Sequence, residues 1–217
     1  MENSYWKKKW ETGDIRFHQD GVHPPLIKNA NLFPAGKIVV PLCGKSRDLL
    51  YLSSQGHEVT GIELSAIACN AFFDENEIPF KQITTGDFIV YQSEKISIWC
   101  GDFFKTPKEV FSGISGIYDR AALVALPKEM RIDYVKYILS QTTELSNLGI
   151  LLFTFEYQDP EIKGPPFSVD RIEVEELLGS KFKIKEIFSE TNGDFVKNHP
   201  RLQSRTVTEK GYWLSEK

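Results

Sequence analysis

Several absences narrow this chain before anything present is considered. Its three cysteines, Cys43, Cys69 and Cys100, form no C-x-x-C pair and cannot all be bridged with one another. Reduced thiols in a cytoplasmic protein are the economical expectation. No run approaches the ~18 apolar residues of a membrane span, and the start, MENSYWKKKW, carries no apolar h-region. Neither a membrane protein nor a secreted one is therefore expected. Acidic residues outnumber basic ones by 30 to 26, for a formal net charge of −4, and no basic stripe appears, which argues against a nucleic-acid partner. The densest cationic patch, Lys7-Lys8-Lys9 between Trp6 and Trp10, reads as the wet face of a short helix. There is no H-x-x-x-H or C-x-x-C metal pattern and no recognisable serine or cysteine triad. No metal is expected, and hydrolysis lacks its usual equipment.

What is present is concentrated between Lys37 and Ser65, KIVVPLCGKSRDLLYLSSQGHEVTGIELS. Lys37 to Leu42 is a β-branched run suited to a buried parallel strand. Gly44 opens a turn, and Leu49, Leu50 and Leu52 give the following helix its apolar face. Gly56 and His57 close that helix, Val59 to Ile62 form the next strand, and Glu63 ends it. A carboxylate about 20 residues after such a turn is where a Rossmann-type unit accepts from ribose hydroxyls. The turn lacks G-x-G-x-x-G. Gly44-Lys45-Ser46 imitates the end of a phosphate loop, but Val39 stands where that motif needs its first glycine. A ribose-binding acid without phosphate machinery suits a nucleoside that carries no phosphate, of which S-adenosylmethionine is the common one.

With 41% hydrophobic residues in 217, the chain is long enough for one substantial core, and one domain over 1–217 is expected. Strand and helix alternate onward. Ser65 caps a helix that ends near Asn76. Gly86 to Asp102 reads as an inserted hairpin, FIVYQ then ISIWC, feeding the next sheet strand. Gly116 to Asp119 is a fourth strand, Pro127 starts a helix with Tyr134, Val135 and Ile138 at helical spacing, and Gly149 to Glu156 is a continuous apolar strand. Gly164 to Phe167 is a stiff loop before a helix at Val169 to Leu178. Strands at Phe182 to Ser189 and Arg205 to Leu214 close the chain around a polar loop. This is a doubly wound α/β domain with an N-terminal helical extension.

Four fragments in order, PLCGKS (41–46), GHEVTGIELS (56–65), YDRAALVALP (118–127) and GPPF (164–167), together with Trp6, Trp10 and Phe17-His18, resemble the thiopurine S-methyltransferases, in a bacterial-type form. The resemblance spans nearly the whole chain. It implies the class I S-adenosylmethionine-dependent methyltransferase fold: a Rossmann-like seven-stranded sheet with its last strand antiparallel, and residues 1–30 as a lid. It also implies S-adenosylmethionine as methyl donor, aromatic or heterocyclic thiols such as thiopurines as acceptors, and selenium or tellurium compounds as further ones. A monomer acting on small molecules is expected. Two other readings stay open from the residues: an NAD-dependent oxidoreductase, disfavoured by the missing glycines, and a non-catalytic nucleoside-binding domain.

The site residues follow, each with a plainer alternative. Glu63 is assigned to ribose, the alternative being a solvated strand end. Leu42 and Gly44 are assigned to the cofactor through backbone. Asp102 and Phe103 follow the third sheet strand, where the resemblance puts adenine contacts; an exposed loop acid is the alternative there. Trp6 and Trp10 lie one helical turn apart on one face, as a lid over the cofactor or as pins holding the extension. Phe17 is one wall of the acceptor pocket and Pro165 with Pro166 another, unless the prolines are only a rigid turn. Arg120 is the catalytic candidate, holding an anionic acceptor or lowering a thiol's pKa, the alternative being an ion pair with Asp119. Lys45 is left as a surface lysine. His18 and His23 read as satisfied loop histidines, and His57 and His199 carry no partner signal. Members of the family often place a second arginine in the last polar loop, where this chain has Asn198, with Arg201 nearby.

Overall fold

The KIVVP run of β1 (Lys37–Pro41) is apolar on both faces, which suits it to the middle of a sheet covered on both sides. In the computed structural model, which describes residues 3–142, 147–159, 161–199 and 202–217, two helices precede it, α1 (Asn3–Glu11) and α2 (Pro24–Asn29). After it come α3 (Asp48–Ser54), β2 (Glu58–Glu63), α4 (Ala66–Glu75), β3 (Lys81–Thr85), β4 (Phe88–Gln92) and β5 (Ile96–Cys100). The second half holds β6 (Ile114–Arg120), α5 (Lys128–Gln141), β7 (Gly149–Glu156), α6 (Arg171–Leu178), β8 (Phe182–Thr191), α7 (Asp194–Asn198) and β9 (Thr208–Glu216).

The nine strands among the described residues form one sheet in the order β3-β4-β5-β2-β1-β6-β7-β9-β8. The five strands from β5 to β7 run parallel, and β9 lies antiparallel between β7 and β8. The expected seven strands with the last reversed are all there. Two more extend the sheet. The β4–β5 hairpin matches the inserted FIVYQ–ISIWC pair, but KQITT also pairs, as β3, against β4. That strand was invisible because its first four residues are solvent-exposed and present no alternation of apolar and polar residues. Ends moved too. Asp170 caps α6 by accepting from the Glu173 N–H at 2.9 Å, so the helix starts at Arg171. Arg205 is not in β9: its guanidinium is 2.7 Å from Asp159 and 2.6 Å from Glu161.

The core is double, as the alternation within β1 requires. Val39, Ile117, Ile150 and Leu152 pack with Tyr134 and Ile138 of α5 and Val174 of α6. Ile38, Val40, Tyr118 and Leu151 pack on the other face with Leu49 and Leu52 of α3 and Phe72 and Phe73 of α4. Because β1, β2, β5 and β6 are parallel, their carboxyl ends share one edge. The turn at Gly44, Glu63, Asp102 and Arg120 therefore all come to the same rim, the usual position of a ligand crevice in such sheets.

Candidate functional site

Glu63 organises that rim. Its carboxylate is 6% exposed and receives the Gly44 N–H at Oε2 (2.9 Å) and the Ser65 N–H at Oε1 (2.8 Å). It thereby ties the turn after β1 to the N-terminus of α4, which the Ser65 side chain caps. Burial pushes its pKa up, and the backbone N–H groups of Ser65 and Gly44 pull the other way. A carboxylate can accept about four hydrogen bonds, and these two backbone donors leave acceptor capacity on both oxygens.

The turn itself is left-handed twice, at Leu42 (φ 47°) and Gly44 (φ 54°). A Cβ on Gly44 would stand 3.2 Å from Cζ2 of Trp10, so the indole rests on bare glycine backbone. Trp6 and Trp10 both meet Phe17 edge to face, with centroids 5.5 and 5.7 Å apart. At the head of α1, the Asn3 amide donates to Asp102 Oδ2 at 3.2 Å. Asp102 Oδ1 accepts from the Phe104 N–H at 3.0 Å and so caps the short turn Phe103–Lys105. The Phe103 ring borders the cleft but also packs on Tyr134 and Tyr137.

At the other end, Arg120 closes β6, half-buried, with its guanidinium 5.9 Å from the Phe195 ring centroid. The ion pair with Asp119 does not form. Successive strand residues face opposite ways, and Asp119 turns toward the α5 side, accepting from Ala122 N–H (3.2 Å), Leu123 N–H (3.1 Å) and Tyr134 Oη–H (2.7 Å). Burial raises its pKa to about 6 against the opposing effect of those bonds. Asp119 thus braces the turn after Arg120, where Ala121 sits at φ 67°. Pro165 and Pro166 line the wall, held by Tyr157 Oη–H to the Pro166 carbonyl (2.8 Å) and Phe167 N–H to the Val124 carbonyl (2.7 Å).

The cleft brings together all the residues nominated from sequence, from Trp6 on α1 to Pro166. Its other cationic walls are neutralised: Lys9 and Arg16 both bind Asp14, and Lys45 meets Glu75 at 2.6 Å. Lys45 is thus a wall residue and not a free surface lysine. Arg120 makes no ion pair with any described residue. Phe195 and His199, which also border the cleft, were missed because they lie in and just after the short helix α7, inside a loop whose sequence shows no periodicity. Arg201 lies outside the described residues, as does the side chain of Asn198.

The histidines divide. His23 is buried, with Nε2 3.0 Å from Glu209 Oε1 and its backbone N–H donating to Asp48 Oδ1 at 2.8 Å, while Tyr118 Oη–H donates to Asp48 Oδ2 at 2.9 Å. His57 Nδ1 lies 3.2 Å from the Gly36 carbonyl. His18 borders the cleft. Among the described residues no cluster suited to a metal ion occurs, and no helix is long and apolar enough to cross a membrane.

Comparison with known proteins agrees with this architecture. The thiopurine S-methyltransferase family model matches residues 1–217. A thiopurine S-methyltransferase of Shewanella sp. (strain MR-4) is 38% identical over 219 residues, covering 100% of this chain and 96% of that protein. One from Pseudomonas fluorescens (strain Pf0-1) is 40% identical over 188 residues, covering 85% of each. Among solved structures, the fold is similar to that of the Burkholderia thailandensis 1,6-didemethyltoxoflavin-N1-methyltransferase, whose structure contains S-adenosylhomocysteine. The TM-score is 0.65 at 15% identity, covering 99% of this chain and 87% of that one. A full-length family match, relatives near 40% identity and a class I sheet with its crevice at the expected rim converge: this chain belongs to the thiopurine S-methyltransferase family.

Proposed function

We propose that this chain transfers the methyl group of S-adenosylmethionine to the sulfur of aromatic or heterocyclic thiols, thiopurines among them, with selenium and tellurium compounds as further acceptors. Methyl transfer from S-adenosylmethionine goes with the family. The thiol acceptor, the site roles, a single monomeric domain and a cytoplasmic setting are the proposal. The observation that carries it is the pairing of two groups in one cleft, a buried carboxylate with spare acceptor capacity and a guanidinium with no carboxylate partner among the described residues.

The residues present fit an adenosyl group. Glu63 can accept from a ribose diol, and the turn at Leu42 and Gly44 offers backbone where any side chain on Gly44 would meet Trp10. Asp102 and Phe103 would flank the base. When bound, the cofactor supplies a methyl group on a sulfonium. Trp6 and Trp10 cover the cleft, exclude water and present indole faces that attract a cation. Phe17, Pro165 and Pro166 confine a flat acceptor. Arg120 favours the thiolate over the thiol and aligns it. Opposite charges cancel in the transfer, so alignment and water exclusion supply most of what the reaction needs.

The test is incubation with radiolabelled S-adenosylmethionine and a panel of thiols of graded acidity. Arg120→Ala should leave S-adenosylmethionine binding nearly intact and reduce kcat/KM by about 10–100-fold, the equivalent of ~1.4–2.7 kcal/mol. Loss should be smallest for thiols already ionised at neutral pH. Equal loss on every thiol would leave Arg120 a positioning role only, and no loss on any would move the acceptor site elsewhere. A wild-type protein that methylates no thiol would end the proposal.

A further inference from the structure

The thiol must lose its proton inside a cleft that the lid closes, and most acids bordering that cleft are already engaged. Glu63 holds two backbone N–H groups, Asp14 holds Lys9 and Arg16, Asp48 holds Tyr118 and the His23 N–H, and Asp102 holds the Phe104 N–H and Asn3. His18 is different. Its side chain is 14% exposed at the cleft wall, and Nε2 lies 3.5 Å from Oδ1 of Asp20, whose side chain is fully in solvent. The ring therefore reaches from the cleft toward water. It is also held in place: the turn from Ile15 closes with the His18 N–H on the Ile15 carbonyl at 2.7 Å, and the preceding Phe17 is packed between Trp6 and Trp10.

Building on the thiol-methylation reading, we propose that His18 is the base that takes the acceptor thiol's proton and releases it to solvent past Asp20. The step balances. The thiol S–H bond breaks and its proton goes to an imidazole nitrogen. The thiol sulfur's electron pair forms the new S–CH₃ bond, the bond from that carbon to the sulfonium breaks, and its pair neutralises the sulfonium. The imidazolium then gives one proton to water. Charges on every side suit this role. Burial lowers the His18 pKa first, Lys45 from the turn after β1 and Arg120 from β6 lower it further, and Asp20 and Glu75 of α4 oppose them. Together these favour the neutral imidazole, the form that can accept a proton. A thiolate beside it is favoured by Arg120 and by the imidazolium together.

His18→Asn and His18→Ala should bind S-adenosylhomocysteine as the wild type does, measured by calorimetry, which also certifies folding. For a weakly acidic thiol, kcat/KM should fall by roughly 100-fold, and for one already ionised at pH 7 it should change little. Added imidazole should restore part of the His18→Ala loss. A readout without turnover uses a chromophoric aryl thiol bound with S-adenosylhomocysteine: its half-ionisation should move to higher pH in both variants. Equal losses on all thiols without imidazole rescue, or an unmoved titration, would overturn the proposal. So would the same thiol selectivity appearing in His199→Asn and not in the His18 variants. Failure of the wild type on every thiol would sink the substrate reading instead.

Discussion

Replacing Glu63 separates a structural role from a ligand role, because the two draw on different lone pairs. Its oxygens already take the Gly44 and Ser65 N–H groups at 2.9 and 2.8 Å in a site only 6% exposed. Glu63→Gln puts an amide NH₂ where one of those N–H groups needs an acceptor, and a buried donor left so costs ~1–3 kcal/mol of stability. The isosteric change is therefore not mild. Glu63→Ala strands both donors and should lower the melting temperature further. For the ligand, ribose hydroxyls donating to a charged acceptor contribute ~1.5–3 kcal/mol, so S-adenosylhomocysteine should bind about 10–150-fold more weakly to Glu63→Ala. Calorimetric titration, run where circular dichroism shows the variant folded, gives the affinity, and thermal denaturation gives the stability. Lower stability with full affinity would make Glu63 a staple between the β1 turn and α4 and nothing more. Tight binding of NADH by the wild type would refute the ribose assignment from the other side.

Three further outcomes are expected. Asp119 titrates at about 6 when folded against 3.8 ordinarily, so the stability that its protonated form confers is complete below pH ~4 and is lost as pH rises through 6; relative to Asp119→Asn, the wild type should lose about 3 kcal/mol across that window in denaturant titrations, and a pH-independent gap would refute this. Gly44→Ala should destabilise by ~1–2 kcal/mol, since an L-residue at φ 54° is strained, and should also shift tryptophan fluorescence by displacing Trp10. Residues of α1 should exchange amide hydrogens faster than the sheet in the free protein and become protected on saturation with S-adenosylhomocysteine; unchanged exchange would make the tryptophans structural pins.

The parallel strands were legible because burial on both faces leaves an unbroken apolar run, as in GILLFTFE, and their order placed Glu63 and Arg120 on one rim. β3 was not, since an exposed edge strand carries no burial signal in KQITT. Arg120 could be nominated from its neighbours in sequence, yet the direction of Asp119 could not, because it depends on Tyr134, fifteen residues away across a packed interface. The partner of Lys45 was hidden for the same reason: Glu75 lies thirty residues on. His18 looked like an ordinary loop histidine, and only the folded chain shows that it borders the cleft.

The bond between His23 and Glu209 bears on biosynthesis. It joins the segment between α1 and α2 to β9, across 186 residues of chain. β9 is the ninth strand to leave the ribosome, yet it inserts between β7 and β8, so β8 has no partner until it arrives. The His23–Glu209 bond and the pairing of β8 thus wait on the same strand. A nascent chain stalled before Thr208 can form the parallel strands and the Glu63 turn on which Trp10 rests, but His23 then lacks its buried partner. A chain truncated just short of that strand should therefore hold the segment around His23 less firmly, however well the parallel strands have folded.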